Sequence, residues 1–359
     1  MAIRYATGID IGLKKRRKGG INEDSIAVNV LEDDHLGSVR NAGVFVVADG
    51  AGGREAGEIA SYIATVEVAQ RLTNTLWDTR QFEEVFRDTA TGGTELDRSS
   101  VTEPITNRDP DWLLQRIETI IRSTHTQLLH TIQDLNLESA YTTIVAGVKV
   151  GDRFYFGWVG DSRAYVLNRH PNREEDKQIQ LLTRDHSLVE NMAQRGEISE
   201  VEALVHSQGH SITRALGGTH QDRPGESTVQ VDTRQVKLFS DDIVLITSDG
   251  LIDAFIDAPK LHKKYKNADF PSQVEQEIKE KAVTDDEIFE TVCSAESLEK
   301  ATNKLLALAN KRGGKDNISL ILFQDDALAQ SPASDIPSRE HEADSEPVDE
   351  MQTLIRDPT

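Results

Sequence analysis

The chain of 359 residues is poor in cysteine and in long apolar runs, and each of these shortages excludes a class of protein. Its single cysteine, Cys293, excludes an internal disulfide framework and a thiolate metal cluster. No apolar run approaches the roughly 20 residues that a membrane-spanning helix needs. The first residues also lack the charged and then apolar pattern of a signal peptide. We therefore expect a cytoplasmic protein that is not anchored in a membrane.

Basic residues are outnumbered by acidic ones, 40 to 61, and the formal charge of -21 makes nucleic acid an unfavourable partner, because a phosphate backbone would be repelled. Ten acidic and two basic residues fall within residues 325–359, which also contain four prolines. This composition predicts a disordered acidic tail at 325–359. The remaining residues, 1–324, are numerous enough to bury the core of one large folded domain.

Short β-branched runs alternate with longer helical patterns along residues 1–324. Strands are predicted at residues 5–11, 25–31, 44–48, 142–150, 153–159, 163–167, 178–182, 229–231, 243–247 and 318–323. Helices are predicted at residues 55–76, 112–135, 187–196 and 298–311. Hairpins with helices segregated from them indicate an α+β layer fold. Residues 91–111 form a polar stretch with breakers at both ends and are predicted to be a surface insertion.

Acidic residues recur where the predicted strands end or begin. The motifs are Asn22-Glu23-Asp24, Val46-Val47-Ala48-Asp49-Gly50, Val159-Gly160-Asp161-Ser162-Arg163, Ile246-Thr247-Ser248-Asp249-Gly250 and Asp316-Asn317. Strand ends are rigid, so carboxylates held there can converge on one point from distant parts of the chain. Convergent carboxylates repel one another strongly unless a hard cation lies among them. The pattern therefore indicates a divalent-metal site.

The alternative is that each Asp-Gly pair only makes a turn, as a lone pair usually does. Here both Asp49-Gly50 and Asp249-Gly250 follow an apolar run, which is unusual for a polar surface hairpin. Glycine after the carboxylate also lets a backbone oxygen approach a metal closely. Together with the other acidic motifs, the two pairs favour one shared site over unrelated turns.

Seven motifs, in order along the chain, resemble those of the PPM family of metal-dependent protein phosphatases (type 2C serine/threonine phosphatases) in its bacterial-type form. They are Asn22-Glu23-Asp24-Ser25, Ala48-Asp49-Gly50-Ala51-Gly52-Gly53, Val159-Gly160-Asp161-Ser162-Arg163-Ala164-Tyr165, Leu182-Thr183-Arg184-Asp185-His186-Ser187, Ile212-Thr213-Arg214-Ala215-Leu216-Gly217-Gly218, Thr247-Ser248-Asp249-Gly250-Leu251 and Lys315-Asp316-Asn317-Ile318. The resemblance spans residues 5–324 and implies a catalytic domain over residues 1–324. The implied fold is a four-layer α-β-β-α sandwich with two central, mainly antiparallel sheets and a binuclear metal site at one edge.

The resemblance further implies a site for two Mn²⁺ or Mg²⁺ ions, both of which prefer hard oxygen ligands. The implied ligands are Glu23 (through a water), Asp24, Asp49, the Gly50 carbonyl, Asp249 and Asp316. Asp49 and Asp249 would hold, through the metals, a bridging hydroxide that attacks phosphorus directly. Asn317 is expected to orient Asp316.

Asp161 and Asp253 match positions that bind a third, weaker ion in bacterial-type relatives. The alternatives are a strand-end turn for Asp161 and a surface carboxylate for Asp253. Residues 184–218 match a mobile flap beside the active site. Within the flap, the adjacent residues Asp185, His186 and Ser187 cannot adopt the geometry of a catalytic triad, so we expect a turn and a helix cap there.

The chain departs from the family pattern at two positions. Where the family usually has an arginine that grips the substrate phosphate, this sequence has Gly19, just after a basic run at residues 14–18. We hypothesise that Arg17, or a neighbour, folds back as the phosphate clamp, since a guanidinium offers bidentate contact. The alternative is a solvated basic loop. Animal members carry a histidine at the position of Ala51, and without it a water must act as the acid.

The sequence therefore predicts a protein phosphatase that acts on phosphoserine and phosphothreonine. Its partners would be phosphorylated proteins, opposite a serine/threonine kinase, and we expect a monomer. One alternative is a phosphatase-like regulatory or binding module without turnover, which only the displaced basic residue supports. Another is a phosphatase for a small metabolite, although nothing in the sequence marks a dedicated small-ligand pocket.

Overall fold

The structure is a computed structural model. It describes residues 3–33, 40–51, 56–89, 110–168, 179–199, 202–203, 206, 208–209, 211–252, 276–277, 280–331 and 355–356. The predicted surface insertion at 91–111 lies outside the described residues up to residue 109, and its last two residues begin a helix. Asp253 and most of the predicted tail also lie outside the described residues.

The secondary structure of the described residues follows the alternation of the sequence pattern. The strands are β1 (Ile3–Asp10), β2 (Asp24–Asp33), β3 (Arg40–Ala51), β4 (Ser139–Thr142), β5 (Ile144–Val150), β6 (Arg153–Val159), β7 (Arg163–Asn168), β8 (Ile179–Leu181), β9 (Ser211–Ile212), β10 (Leu216–Thr219), β11 (Asp232–Lys237), β12 (Asp242–Thr247), β13 (Ile318–Asp325) and β14 (Ile355–Arg356). The helices are α1 (Leu13–Arg17), α2 (Gly57–Thr89), α3 (Pro110–Asp134), α4 (Leu188–Gln194), α5 (Asp285–Cys293) and α6 (Leu298–Arg312). A 3₁₀ turn, Asp249–Leu251, follows β12.

Two antiparallel sheets form the centre of the fold. One has the strand order β1-β13-β12-β7-β8, and the other has the order β10-β4-β3-β5-β6-β11 with β2 paired to β3. Helices α2 and α3 pack on the larger sheet, and α5 and α6 pack on the smaller one. Aromatic side chains fill the space between the sheets, where Phe45 stacks on Phe323 with ring centroids 3.9 Å apart. The predicted α-β-β-α sandwich is confirmed.

Strand β3 shows why the sequence gives this layering. Val44 and Val46 face the helices, while Phe45 and Val47 face the second sheet, and all four are fully buried. A strand that is buried on both faces is apolar throughout rather than alternating. The acidic residue that ends this run, Asp49, is therefore held by one of the most constrained strands in the molecule.

Helix α6 begins and ends where its sequence signals predict. The Ser297 side chain caps its first turn by accepting a hydrogen bond from the Lys300 amide at 3.2 Å. Lys311 and Arg312 lie in its last turn, where they complement the helix dipole. Gly313 follows with a φ of 140°, a conformation that favours glycine.

The prediction of a strand at residues 229–231 is wrong. Val229 and Val231 lie outside any strand and pack into the core with residues of α2 and α3, and the strand begins one residue later as β11. Strand β11 is polar because it is an edge strand, paired only with β6 within the described residues. The alternation of apolar residues at 229–231 therefore indicated burial in the core and not a hydrogen-bonded β-strand.

The folded chain continues beyond residue 324, where the tail was expected to begin. Asp325 closes β13, and the Ser331 amide donates to Asp241 Oδ1 at 2.9 Å. The Ser240 amide donates to the Ala329 carbonyl at 2.9 Å. Further on, β14 pairs with β9 in the flap segment. None of the described helices is long and apolar enough to cross a membrane.

A buried ion pair links the two sheets at Lys149 of β5 and Asp325 of β13, whose side chains are 2% and 3% exposed. Lys149→Met leaves a buried carboxylate without its partner, so we expect the free energy of unfolding to fall by about 3–5 kcal/mol. The double variant Lys149→Met/Asp325→Leu removes both charges and should recover much of this loss. Urea unfolding measures both effects.

The matched control is Lys237→Met, which breaks the half-exposed pair between Lys237 and Asp152. This change should cost less than about 1 kcal/mol. A loss in Lys149→Met that is no larger than the loss in the control would contradict the prediction.

Candidate metal centre

Five acidic side chains come together where strands of both sheets end. In the larger sheet, Asp24 opens β2 and pairs in register with Asp49 near the end of β3. In the smaller sheet, β12 lies between β7 and β13. Asp161 lies two residues before β7, Asp249 two residues after β12 and Asp316 two residues before β13. The topology therefore brings the predicted carboxylates to one edge of the sandwich.

Asp24 is buried, and its two carboxylate oxygens have different surroundings. Oδ2 accepts a hydrogen bond from Ser248 Oγ at 2.9 Å, and Ser248 Oγ accepts one from the Ser319 amide at 3.0 Å. Oδ1 is buried and has no hydrogen-bond partner among the described residues. A buried carboxylate oxygen without a donor is suited to bind a cation.

The electrostatic cost of the cluster falls mainly on Asp49. Its pKa is raised well above the ordinary value, first by desolvation and then by the charges of Asp24, Asp249, Asp316 and Asp161. Desolvation also raises the pKa of Asp24 to about 6, and the charge of Asp316 adds to this rise. The carboxylates therefore lie close enough to repel one another, as convergence requires.

Gly50 brings its backbone against two neighbouring segments. Its amide donates to the Glu23 carbonyl at 3.1 Å. A Cβ at Gly50 would lie 2.3 Å from the Gly57 carbonyl oxygen and 2.5 Å from that of Glu23. Any side chain would collide here, so glycine is required for the close approach of the chain to Glu23 and to the start of α2.

Lys15 is the basic residue that the structure brings to the carboxylates. Its Nζ donates to Glu23 Oε2 at 2.7 Å, to Asp316 Oδ1 at 2.8 Å and to Asn317 Oδ1 at 2.8 Å. Desolvation opposes the charged form, but the charges of Asp316 and Glu23 outweigh it and raise the pKa of the ammonium group. Lys15 therefore stays protonated at the edge of the cluster.

Arg17, the predicted phosphate clamp, is exposed at the end of α1. Residues two apart on an α-helix point about 200° away from each other, so Arg17 and Lys15 lie on opposite sides of α1. The sequence analysis named Arg17, or a neighbour in the basic run at residues 14–18, and did not single out Lys15. Helical spacing within this run was the signal that could have found it.

Asn317 ties three chain segments together beside Asp316. Its Oδ1 accepts a hydrogen bond from the Glu23 amide at 2.8 Å, and its Nδ2 donates to the Ile11 and Ile21 carbonyls at 3.1 Å. Its own amide donates to Asp316 Oδ1 at 2.8 Å. The residue thus orients Asp316 through its backbone and the Glu23 segment through its side chain.

Thr143 connects Asp49 to the turn that carries Asp161. The Asp49 amide donates to Thr143 Oγ1 at 3.1 Å, and the Thr143 amide donates to the Asp49 carbonyl at 2.8 Å. Thr143 Oγ1 also lies 2.7 Å from Ser162 Oγ. These bonds fix the Asp161 turn relative to Asp49.

The three adjacent residues at the start of the flap point to three different partners. Arg163 forms a bidentate ion pair with Asp185, with N···O distances of 2.9 and 2.7 Å. His186 Nδ1 accepts a hydrogen bond from the Gly160 amide, and the Ser187 side chain caps the first turn of α4. A catalytic triad is thus absent from Asp185-His186-Ser187, and the expected turn and helix cap are present.

The donor set fits Mg²⁺ or Mn²⁺, because it consists of anionic oxygens with one buried acceptor left unsatisfied on Asp24. Among the described residues, no three acidic, histidine or cysteine side chains are already arranged closely enough to hold a metal ion. Lys15 Nζ lies between Glu23 and Asp316. Cation binding would therefore require the carboxylates to close around the ion and Lys15 to give up Asp316.

Comparisons with known proteins identify the family of the chain. A model of the protein phosphatase 2C family matches residues 11–284. The chain is 28% identical to the serine/threonine phosphatase stp of Listeria monocytogenes serotype 4b (strain F2365) over 287 residues, which cover 80% of this chain and 86% of the relative.

Solved structures share the fold. The serine/threonine phosphatase PstP/Ppp of Mycobacterium tuberculosis is 23% identical with a TM-score of 0.60, over 91% of this chain and 100% of that chain. The catalytic domain of PstP in complex with two manganese ions is 22% identical with a TM-score of 0.54, over 90% of this chain and 97% of that chain. The chain belongs to the protein phosphatase 2C family.

The repulsion within the cluster predicts a pH-dependent stability. Because the pKa of Asp24 rises from 3.8 to about 6 on folding, and that of Asp49 also rises, the folded protein binds their protons more tightly than the unfolded chain. Protonation of Asp24 and Asp49 therefore stabilises the folded protein fully below about pH 4, and this stabilisation is lost as the pH rises through about 6. Asp49→Asn removes one of the repelling charges.

In EDTA above pH 6, we therefore expect Asp49→Asn to unfold with a higher free energy of unfolding than wild type. The difference should shrink towards zero near pH 4. Urea unfolding across this pH range measures it, with Asp152→Asn as a control for an exposed carboxylate outside the cluster. A variant less stable than wild type at pH 7 would refute the repulsion argument.

Proposed function

We infer that the protein is a metal-dependent phosphatase that removes phosphate from phosphoserine and phosphothreonine in proteins. The convergence of Asp24, Asp49, Asp161, Asp249 and Asp316 at one edge of a phosphatase 2C fold carries this conclusion. Relatives named as serine/threonine phosphatases, and the solved complex of PstP with two manganese ions, support it. The alternative of a phosphatase-like module without turnover has no support beyond the displaced basic residue.

The residues that would hold two Mn²⁺ or Mg²⁺ ions are Asp24, Asp49, the Gly50 carbonyl, Asp249 and Asp316, with Glu23 acting through a water. Such ions, when bound, lower the pKa of an attacking water and offset the charge of the phosphoryl oxygens. The role of the chain is to fix the carboxylates before substrate arrives. Ser248 orients Asp24, Asn317 orients Asp316, and Thr143 joins Asp49 to the Asp161 turn.

For the phosphate clamp we propose Lys15 in place of Arg17. The Lys15 side chain is about a quarter exposed, and its ammonium lies beside Glu23 and Asp316. It can donate hydrogen bonds to a phosphate oxygen without leaving the site. Arg17 would have to unwind α1 to reach the same position.

The finer assignments are proposals as well. Asp161, with Asp253 outside the described residues, would bind a third and weaker divalent ion. We propose that the enzyme works as a monomer in the cytoplasm and opposes a serine/threonine kinase. The acidic charge of the chain favours protein substrates over nucleic acid.

Hydrolysis of p-nitrophenyl phosphate and of a phosphothreonine peptide tests the proposed function. We expect activity with Mn²⁺, no activity with EDTA and recovery when metal is added in excess. Asp249→Asn should lower kcat by more than about 100-fold. Mutation of a residue that only hydrogen-bonds to a metal ligand already costs about 10- to 100-fold in metal affinity or activity.

The exposed Asp152→Asn serves as the matched control and should retain wild-type turnover. Turnover that persists in EDTA, or that survives Asp249→Asn, would refute the metal mechanism. Tight Mn²⁺ binding without turnover on either substrate would identify a regulatory module instead.

The choice between the two basic residues is tested at saturating Mn²⁺. Lys15→Met should raise the KM for the phosphopeptide and the inhibition constant of inorganic phosphate by about 10- to 100-fold, the range expected for one hydrogen bond to a charged group. Arg17→Met should change both constants less than about twofold, since surface changes away from a site have small effects. The opposite pattern would return the clamp to Arg17.

A further inference from the structure

A buried histidine outside the carboxylate cluster holds the turn that carries Asp161. His186 Nδ1 accepts a hydrogen bond from the Gly160 amide at 3.0 Å. The His186 amide in turn donates to the Gly160 carbonyl at 2.9 Å. One residue therefore binds both peptide groups that flank Gly160, and the second of these peptides leads directly into Asp161.

The hydrogen bonds of the ring define its tautomer. A backbone amide can only donate, so Nδ1 is the unprotonated acceptor and the proton of the neutral ring lies on Nε2. Nε2 then donates to Asp232 Oδ2 at 3.1 Å. Arg214 Nη1 also lies 3.2 Å from Nε2, but it donates to Asp232 Oδ1 at 2.9 Å, so the Nε2 proton is directed to the carboxylate. The Asp232 carboxylate thus keeps the unprotonated Nδ1 of the ring directed towards the Gly160 amide.

His186 also lies at the base of the flap, residues 184–218. Its carbonyl accepts a hydrogen bond from the Thr213 amide at 2.8 Å, which ties the first part of the flap to its last part. Arg214, the next residue, supplies the ion pair to Asp232. The ring stacks on Trp158, with centroids 6.1 Å apart, so it cannot turn freely.

Gly160 itself has little freedom to adapt. Its φ of 106° favours glycine, and a Cβ there would lie 2.5 Å from the Thr143 side chain. Thr143 in turn binds both backbone groups of Asp49 with its hydroxyl and amide. The turn is therefore held between Thr143 on the Asp49 side and His186 on the flap side.

We propose that His186 is a positioning residue: its ring ties the base of the flap to the Gly160 turn and so fixes the Asp161 carboxylate relative to Asp49. Asp232 and Arg214 hold the ring in the required tautomer. This inference rests on the proposed role of Asp161 as a ligand for a weaker divalent ion. Movement of the flap base would then change the affinity of that ion without a change in the other carboxylates.

Two measurements on the full chain test the proposal. Hydrogen exchange at the Gly160 amide should accelerate by about tenfold or more in His186→Leu, as expected when one buried hydrogen bond is lost. In calorimetric titration with Mn²⁺, the weaker binding event should lose about tenfold in affinity while the tighter events stay at wild-type strength. His186→Asn retains an acceptor oxygen close to the position of Nδ1 and should restore much of both properties.

The matched control is His125→Leu. His125 is also buried, and its Nδ1 accepts the Gly217 amide at 3.2 Å in the same manner, away from the Asp161 turn. This variant should leave Gly160 exchange and the weaker Mn²⁺ event unchanged. If His186→Leu does not fold, Asp232→Asn takes its place and should shift both quantities in the same direction by a smaller factor.

Unchanged Gly160 exchange in His186→Leu would overturn the proposal, and so would faster exchange with unchanged weak Mn²⁺ binding. Asp161→Asn separates this inference from the proposed function. If that variant leaves weak Mn²⁺ binding intact, the role assigned to Asp161 is wrong, whereas Gly160 exchange still reports on His186. In the Asp161→Asn background, His186→Leu should have no further effect on Mn²⁺ binding.

Discussion

The repulsion among five carboxylates at one edge of the sandwich is the constraint on which the rest of the structure depends. Desolvation and mutual charge raise the pKa values of Asp24 and Asp49, so the site is unfavourable to folding in the absence of a compensating cation. Rigid strands hold the carboxylates together in spite of this unfavourable free energy. Each of the five residues lies within two positions of a strand end, and these strands are anchored by the aromatic core between the sheets.

Small polar contacts then set the geometry of each carboxylate. Ser248 holds one oxygen of Asp24 and leaves the other without a donor, while Thr143 couples Asp49 to the Asp161 turn. Lys15 adds a positive charge from α1 beside Asp316. These hydrogen bonds orient the individual carboxylates, and cation binding would complete the site by drawing the carboxylates together and releasing Lys15 from Asp316.

The sequence was sufficient to predict the sandwich and the convergence of the acidic motifs, because strand periodicity and strand ends are local signals with rigid consequences. It failed where the outcome depended on tertiary context. Val229 and Val231 alternate like a strand but fill a core, and the polar edge strand β11 gave no apolar signal. The position of Lys15 depends on a five-residue helix within a basic run, which charge alone could not indicate. The network of His186, Asp232 and Arg214 joins residues up to 46 positions apart, so no local pattern contains it.

Anomalous diffraction from crystals grown with Mn²⁺ would test the central claim most directly, since it locates the ions without reference to activity. The account predicts two strong peaks about 3.5–4 Å apart with Asp49 between them. It also predicts that Lys15 Nζ no longer contacts Asp316. An absence of peaks among these carboxylates, or a Lys15 ammonium still bonded to Asp316 beside a single distant ion, would contradict it.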